Sequence, residues 1–195
     1  DGKIIDVLLR RKILDKNIEL SSSSQYQLNI IDNQAYPLLE TIRELINECD
    51  EFYISVAFLM TSGIKGIKME LNNANQKNIP AKIIVGNMNN FSDPKAIKEL
   101  SQFNNIDIRL NMEGNLHTKG YFFRKNNIWT IIIGSSNLTQ AALKTNKEWN
   151  MIINSTENGK LVENTIKSFT NLWEKSEKLN NVFETYENTY RQEQA

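Results

Sequence analysis

Leu116–Asn150, LHTKGYFFRKNNIWTIIIGSSNLTQAALKTNKEWN, holds the residues on which the reading of this chain turns. On an extended strand His117 and Lys119 stand two residues apart and point to one face, pairing a nucleophile with a cation. The next strand is wholly apolar from Ile131 to Ile133 and then breaks at Gly134-Ser135-Ser136-Asn137. A buried strand is therefore expected to deliver Ser135 and Asn137 at its C-terminal end. In α/β sheets that edge is where ligands bind, and a helix starting at Leu138 is expected to add its N-terminal dipole and free N–H groups. The arrangement suits phosphate.

Outward from this stretch, the hydrophobic period alternates between two kinds of segment. Strands are predicted at 27–31, 52–58, 81–85, 106–110, 116–123, 128–133 and 148–154. Helices are predicted at 34–48, 61–77, 92–103, 138–143, 159–174 and 179–191, with Thr61-Ser62-Gly63 and Ser92-Asp93-Pro94 supplying N-cap chemistry. Such alternation predicts an α/β layered domain whose central sheet is mixed, largely parallel, and flanked by helices. Ser21 to Ser24 read as a linker. They divide residues 1–24, an amphipathic N-terminal segment with its Ser-rich linker, from a main domain over 25–195 that ends in C-terminal helices. The chain starts at Asp1 rather than Met, so a processed product or an excised fragment is expected.

The 195 residues amount to one domain of ordinary size. A single cysteine, Cys49, excludes an internal disulfide, and one Cys with one His cannot complete a tetrahedral zinc site within the chain. No metal or other cofactor is expected. No apolar run is long enough to span a bilayer, and residues 1–20 lack a signal-peptide core, so no membrane association and a cytoplasmic location are expected. Twenty-three Lys and Arg balance 23 Asp and Glu, which at first argues against a polyanion partner. The balance is segregated, however. His117–Lys147 contains Lys119, Arg124, Lys125, Lys144 and Lys147 and no acid, where about four acids would be expected from the average. The remainder carries a net charge of −5. Arg124, Lys125, Lys144 and Lys147 are either an ordinary solvated face or, because they overlap the phosphate-suited stretch, candidate contacts to a DNA backbone.

At these residues the sequence resembles the phospholipase D superfamily, whose pattern is His-x-Lys, four residues and Asp, then Gly-Ser-x-Asn and a downstream acid. The match is His117-Thr118-Lys119, Gly134-Ser135-Ser136-Asn137 and Glu148, with Arg124 where the pattern has Asp. More narrowly, the sequence is similar to the phospholipase-D-like nuclease module in front of some bacterial superfamily-two DNA helicases, over about 17–190. DEFYISVAF, FSDPKAIKEL and ENGKLVENTIKSFTNLWE share that likeness. No Walker A loop is present in the chain, so helicase domains would have to lie elsewhere.

The resemblance implies a metal-independent phosphodiesterase, an endonuclease module, in which His117 attacks phosphorus to form a phosphohistidine that water later hydrolyses. Lys119 would supply positive charge, Ser135 and Asn137 would donate to the non-bridging oxygens and hold Lys119, and Glu148 would orient the His117 ring. The superfamily uses a second histidine as general acid, and this chain has one, so a two-fold homodimer sharing one active site is expected. The alternatives are a DNA-docking and dimerisation module without turnover, and a phospholipid hydrolase. Trp129, Trp149 and Trp173 are read as core, and packing is the expected role of Tyr121 and Phe123.

Overall fold

Apolar β-formers at 52–56, 81–85 and 106–110 build the centre of the protein as β3 (Glu51–Val56), β4 (Ala81–Gly86) and β5 (Ile106–Asn111). The computed structural model describes residues 4–5, 29–87 and 90–193; the predicted amphipathic segment beyond Ile4–Ile5, the Ser-rich linker and residues 27–28 of the first predicted strand lie outside the described residues. The remaining strands are β1 (Ile4–Ile5), β2 (Asn29–Ile31), β6 (Lys119–Lys125), β7 (Ile128–Gly134), β8 (Asn150–Thr156) and β9 (Glu177–Lys178). They form one sheet in the order β1-β8-β7-β6-β3-β4-β5-β9, with β2 also on β8.

The sheet is mixed, but its parallel part is smaller than expected. Among the described strands β3–β4 and β4–β5 are the pairs that run in parallel; β6, β7 and β8 run antiparallel to their neighbours. The reason lies in connection length. A parallel return needs a crossover of a dozen or more residues, whereas Asn126 and Asn127 alone join β6 to β7, with Asn126 at φ 51°. By contrast α2 (Thr61–Gln76) and α3 (Pro94–Leu100) supply the crossovers between β3, β4 and β5.

Two apolar layers cover the sheet. On one face α1 (Leu38–Glu48), α2, α3 and α5 (Leu179–Glu193) bury Leu38, Ile42, Ile64, Ile67, Ile97 and Tyr186 against Phe52, Ile54, Ile83, Tyr121, Phe123 and Ile132. On the other, α4 (Lys160–Lys175) buries Val162, Phe169 and Trp173 against Ile84, Phe122, Trp129 and Ile131. Tyr121 and Phe123 therefore pack in the core, as expected. Trp149 does not: it is 76% exposed, whereas Trp129 and Trp173 are buried. Cys49 is buried too, and desolvation pushes its thiol up to about 12, which removes it from thiolate chemistry at neutral pH.

Several boundaries shift for local reasons. Helix α1 begins at Leu38 rather than near Gln34, because Asn33 sits at φ 65° and accepts from the Leu38 N–H at 2.9 Å, while Pro37 is extended. The expected cap of α2 by Thr61 to Gly63 is replaced by Met60 at the cap position, and the Thr61 hydroxyl instead donates to Asp93. Asp93 itself caps α3 through the Lys95 N–H at 2.9 Å, with Pro94 in the first turn.

Candidate active site

One edge of the sheet gathers the C-terminal ends of β3, β4, β5 and β7 and the N-terminal ends of β6 and β8, since the antiparallel strands reverse direction there. The register pairs Val56 with Lys119, Gly120 with Ile133 and Gly134 with Asn150. Residues 117–119, 134–137 and 148–150 are thus neighbours despite their separation in sequence.

Strand β6 starts at Lys119, three residues later than expected, and His117 sits in the stretch before it, which belongs to no regular element. His117 is exposed while Lys119 is buried apart from 7% of its surface. The Lys119 ammonium donates to the His117 carbonyl at 2.9 Å and lies 3.0 Å from His117 Nδ1. Burial pulls the Lys119 ammonium below the usual lysine range, and the nearby Glu148 carboxylate opposes that shift. An ammonium facing Nδ1 makes that nitrogen the acceptor of the pair. The expected partnership of Glu148 with the imidazole is not what holds the ring.

Glu148 is committed elsewhere. It precedes β8 and accepts a hydrogen bond from the Ser135 hydroxyl, while Asn146 Nδ2 donates to it at 3.4 Å. Ser135 Oγ in turn accepts from the Trp149 N–H at 3.1 Å. Asn137, also buried, accepts from the Phe58 N–H at 3.2 Å through Oδ1, which aims its amide at the end of β3. Among the described residues no hydrogen bond joins Asn137 or Ser135 to Lys119, so both expectations that these residues hold the lysine are replaced by backbone anchoring.

The turn owes its shape to residues outside the expected set. Ser136 is fully buried: its N–H donates to Asn150 Oδ1 at 3.4 Å, its hydroxyl donates to the Ala142 carbonyl at 3.1 Å, and Asn150 Nδ2 donates to that hydroxyl at 2.9 Å. Tyr121 donates to the Ser136 carbonyl at 2.9 Å. A polar Asn opening an apolar strand was the available signal for Asn150.

Two further expectations change. The segment after the turn forms no α-helix at Leu138; Leu138 makes a strand-like bridge to Leu59, and a single π turn spans Ala141–Thr145. No helix dipole therefore points at the edge from there. Gly63 permits the bridge, because a Cβ there would come within 2.1 Å of the Leu138 carbonyl oxygen. Of the candidate backbone contacts, Arg124 and Lys125 stand at the far end of β6, about 17 Å from Lys119 at the rise of a strand, where Arg124 pairs with Glu51 and Lys125 with Asp50. Lys144 and Lys147 are exposed on the connection between β7 and β8 that leads to Glu148.

A pocket of about 440 Å³ opens on the α4 face beside this edge, with the segment from His117 to Gly120 as its rim. Among the described residues no group of three or more His, Cys, Asp or Glu converges as metal ligands would, and no helix is long and apolar enough to cross a membrane.

The family pattern described as "Cardiolipin synthase, PLD-like domain" matches residues 42–173. No curated protein sequence matches the chain. Among solved structures it is similar to Nuc from Salmonella typhimurium, a phospholipase D family member, at 18% identity and a TM-score of 0.61, covering 78% of this chain and 97% of that one. NucT from Helicobacter pylori is similar at 14% identity and a TM-score of 0.60, covering 78% and 98%. Phosphatidylserine synthase from Haemophilus influenzae Rd KW20 gives 14% identity and a TM-score of 0.58, covering 85% of this chain and 45% of that one. At these identities the likeness is one of fold.

Proposed function

The chain belongs to the phospholipase-D-like domain family, and from that membership together with the geometry of the sheet edge we propose that it is a phosphodiesterase that cleaves the DNA backbone through a phosphohistidine on His117, without a metal ion. The observation that carries this reading is the placement of His117 against Lys119 Nζ at 3.0 Å, on the same edge as the Ser135 to Asn137 turn and Glu148. Arg124 in place of the pattern's Asp counts little against turnover. It lies at the other end of β6 and serves an ion pair with Glu51.

In the first step an anionic phosphodiester draws the Lys119 ammonium onto its non-bridging oxygens. That frees His117 Nδ1 to take the ring proton and leaves the Nε2 lone pair for attack. The Nε2–P bond forms as the P–O bond to the leaving group breaks, and the leaving oxygen takes a proton from His117 of a second copy of the chain. In the second step water attacks phosphorus, gives its proton to that second histidine and releases His117. Lys119 and the Asn137 amide offset the charge gathered in both transition states.

The need for a second histidine makes a homodimer part of the proposal, and a surface for it lies beside the site. Ile133, Met151 and Ile30 are exposed and in register across β7, β8 and β2, and exposed Trp149 precedes β8. A second copy would cover this patch. Met151→Glu is expected to shift sedimentation to the monomer and to remove most activity; a strictly monomeric wild type with undiminished turnover would defeat the shared-site proposal. The narrower likeness to helicase-associated modules makes helicase-type domains the proposed neighbours of this unit in a longer protein.

Lys119 sets the alkaline limit. Its protonated form is the useful one, and burial lowers its pKa, so activity should fall as pH rises through a value below the ordinary lysine range. Lys119→Arg keeps its charge at any accessible pH. It should flatten the alkaline limb of the kcat/KM profile while lowering the plateau; an unchanged limb in that variant would assign the titration to another group. The direct test of the reaction is incubation of the wild type with plasmid and single-stranded DNA in EDTA. EDTA-resistant cleavage is expected, and cleavage that requires magnesium overturns the mechanism.

A further inference from the structure

We infer that the pocket on the α4 face is a nucleobase subsite, so that the substrate is single-stranded nucleic acid with the base next to the scissile phosphate turned over the sheet edge; this rests on the phosphodiesterase reading above. The pocket begins where the reacting residues end. His117, Thr118 and Lys119 form its rim, and the Thr118 hydroxyl is fixed to that of Ser55 at 2.6 Å. Its volume of about 440 Å³ lies within the range of small-molecule sites, about 300–1,000 Å³.

The walls differ in chemistry. One is aromatic: Gly120 has no side chain, and the Phe122 ring occupies the space in front of it, 2.5 Å from where a Cβ would be. Phe169 of α4 meets Phe122 edge to face at 5.9 Å between ring centroids. The other wall is the solvent-accessible row Asn164, Thr165 and Ser168 on one side of α4, an amide and two hydroxyls with no charge. Among the described residues no carboxylate lines the pocket. A flat ring with neutral donors and acceptors on its rim fits these walls, gaining aromatic contact on one side and hydrogen bonds on the other. An acyl chain would meet Ile133 and Leu172 but would leave the amide and two hydroxyls of the α4 row without hydrogen-bonding partners from the ligand. A base held in a duplex cannot reach a pocket below the edge without leaving its stack, which gives the single-strand preference.

The test measures binding of wild type and His117→Ala to three probes: a single-stranded oligonucleotide, the same strand with one abasic position, and its duplex. EDTA-resistant cleavage of the same probes is followed in parallel. Affinity is expected to fall about tenfold for the abasic strand and at least as much for the duplex. Ser168→Phe, which fills the pocket from an exposed helix position, should bring the ratio of intact to abasic affinity close to one, and Asn164→Ala should lower it severalfold. A wild-type ratio near one, or a ratio untouched by both substitutions, overturns the subsite. Hydrolysis of phosphatidylglycerol vesicles with no preference for intact over abasic strands overturns it in favour of a lipid. A preserved binding ratio without cleavage supports the subsite and removes the phosphodiesterase reading, so the two failures are distinguishable.

Discussion

His117→Ala is expected to lower the rate of phosphodiester cleavage by at least about 10²-fold while leaving the protein folded and its DNA affinity nearly unchanged. The imidazole is exposed at the sheet edge and contacts Lys119, so its removal opens no core cavity. A surface change of that kind shifts stability by roughly 0.5 kcal/mol or less. The rate, by contrast, loses both the nucleophile and, in a dimer, the proton donor to the leaving oxygen. Measuring cleavage in EDTA beside thermal unfolding and DNA binding separates the readings. A variant that retains most of the wild-type rate excludes a phosphohistidine; a wild type and variant that bind alike and cleave nothing would identify a docking module.

Phe169→Ala should have the largest effect on stability. The ring is buried between Tyr53, stacked at 5.0 Å, Phe122 at 5.9 Å and Trp173 at 6.1 Å, and it fastens α4 to the sheet. Truncation of such a ring costs about 3–5 kcal/mol, against a total of roughly 5–15 kcal/mol for a domain. For a chain of this length the melting temperature is expected to drop by roughly 6–20 °C. The same change widens the pocket and loosens its helical wall. Loss of preference for single strands should therefore accompany the lower Tm even at temperatures where the variant is folded. A shift under about 2 °C by calorimetry would show that α4 is held mainly by the cations over its aromatic cluster, Arg109 and Lys82 on Trp173.

How much was legible beforehand varies with the range of the interactions. The alternation of apolar strands with helices gave the α/β class, and Asp93-Pro94 placed the start of α3, because caps and periodicity are local properties of the chain. The sheet departs from the largely parallel pairing that alternation predicts where the two-residue connection at Asn126-Asn127 excludes a parallel crossover. The helix expected at Leu138 was overruled by the Leu59 bridge, a contact between residues far apart in sequence that no local pattern carries.

The candidate site shows the same division. Residue types and spacing marked His117, Lys119, Ser135 and Asn137 on two strand ends, and the family resemblance added Glu148 as the downstream acid. Which of them touch was decided by register. Pairing Gly134 with Asn150 carries Glu148 to Ser135 rather than to the imidazole, and starting β6 at Lys119 turns its ammonium back onto His117. Register also sent Arg124 and Lys125 to the opposite end of β6, where Glu51 and Asp50 neutralise them, although composition had grouped all the basic residues together. Sequence by itself determined the chemistry available and the layers that carry it, because both depend on residue identity and short-range periodicity. Only the tertiary structure decided which charges remain free, which hydrogen bonds hold the turn and where a pocket opens, because strand pairing and helix docking bring together groups that the chain keeps far apart.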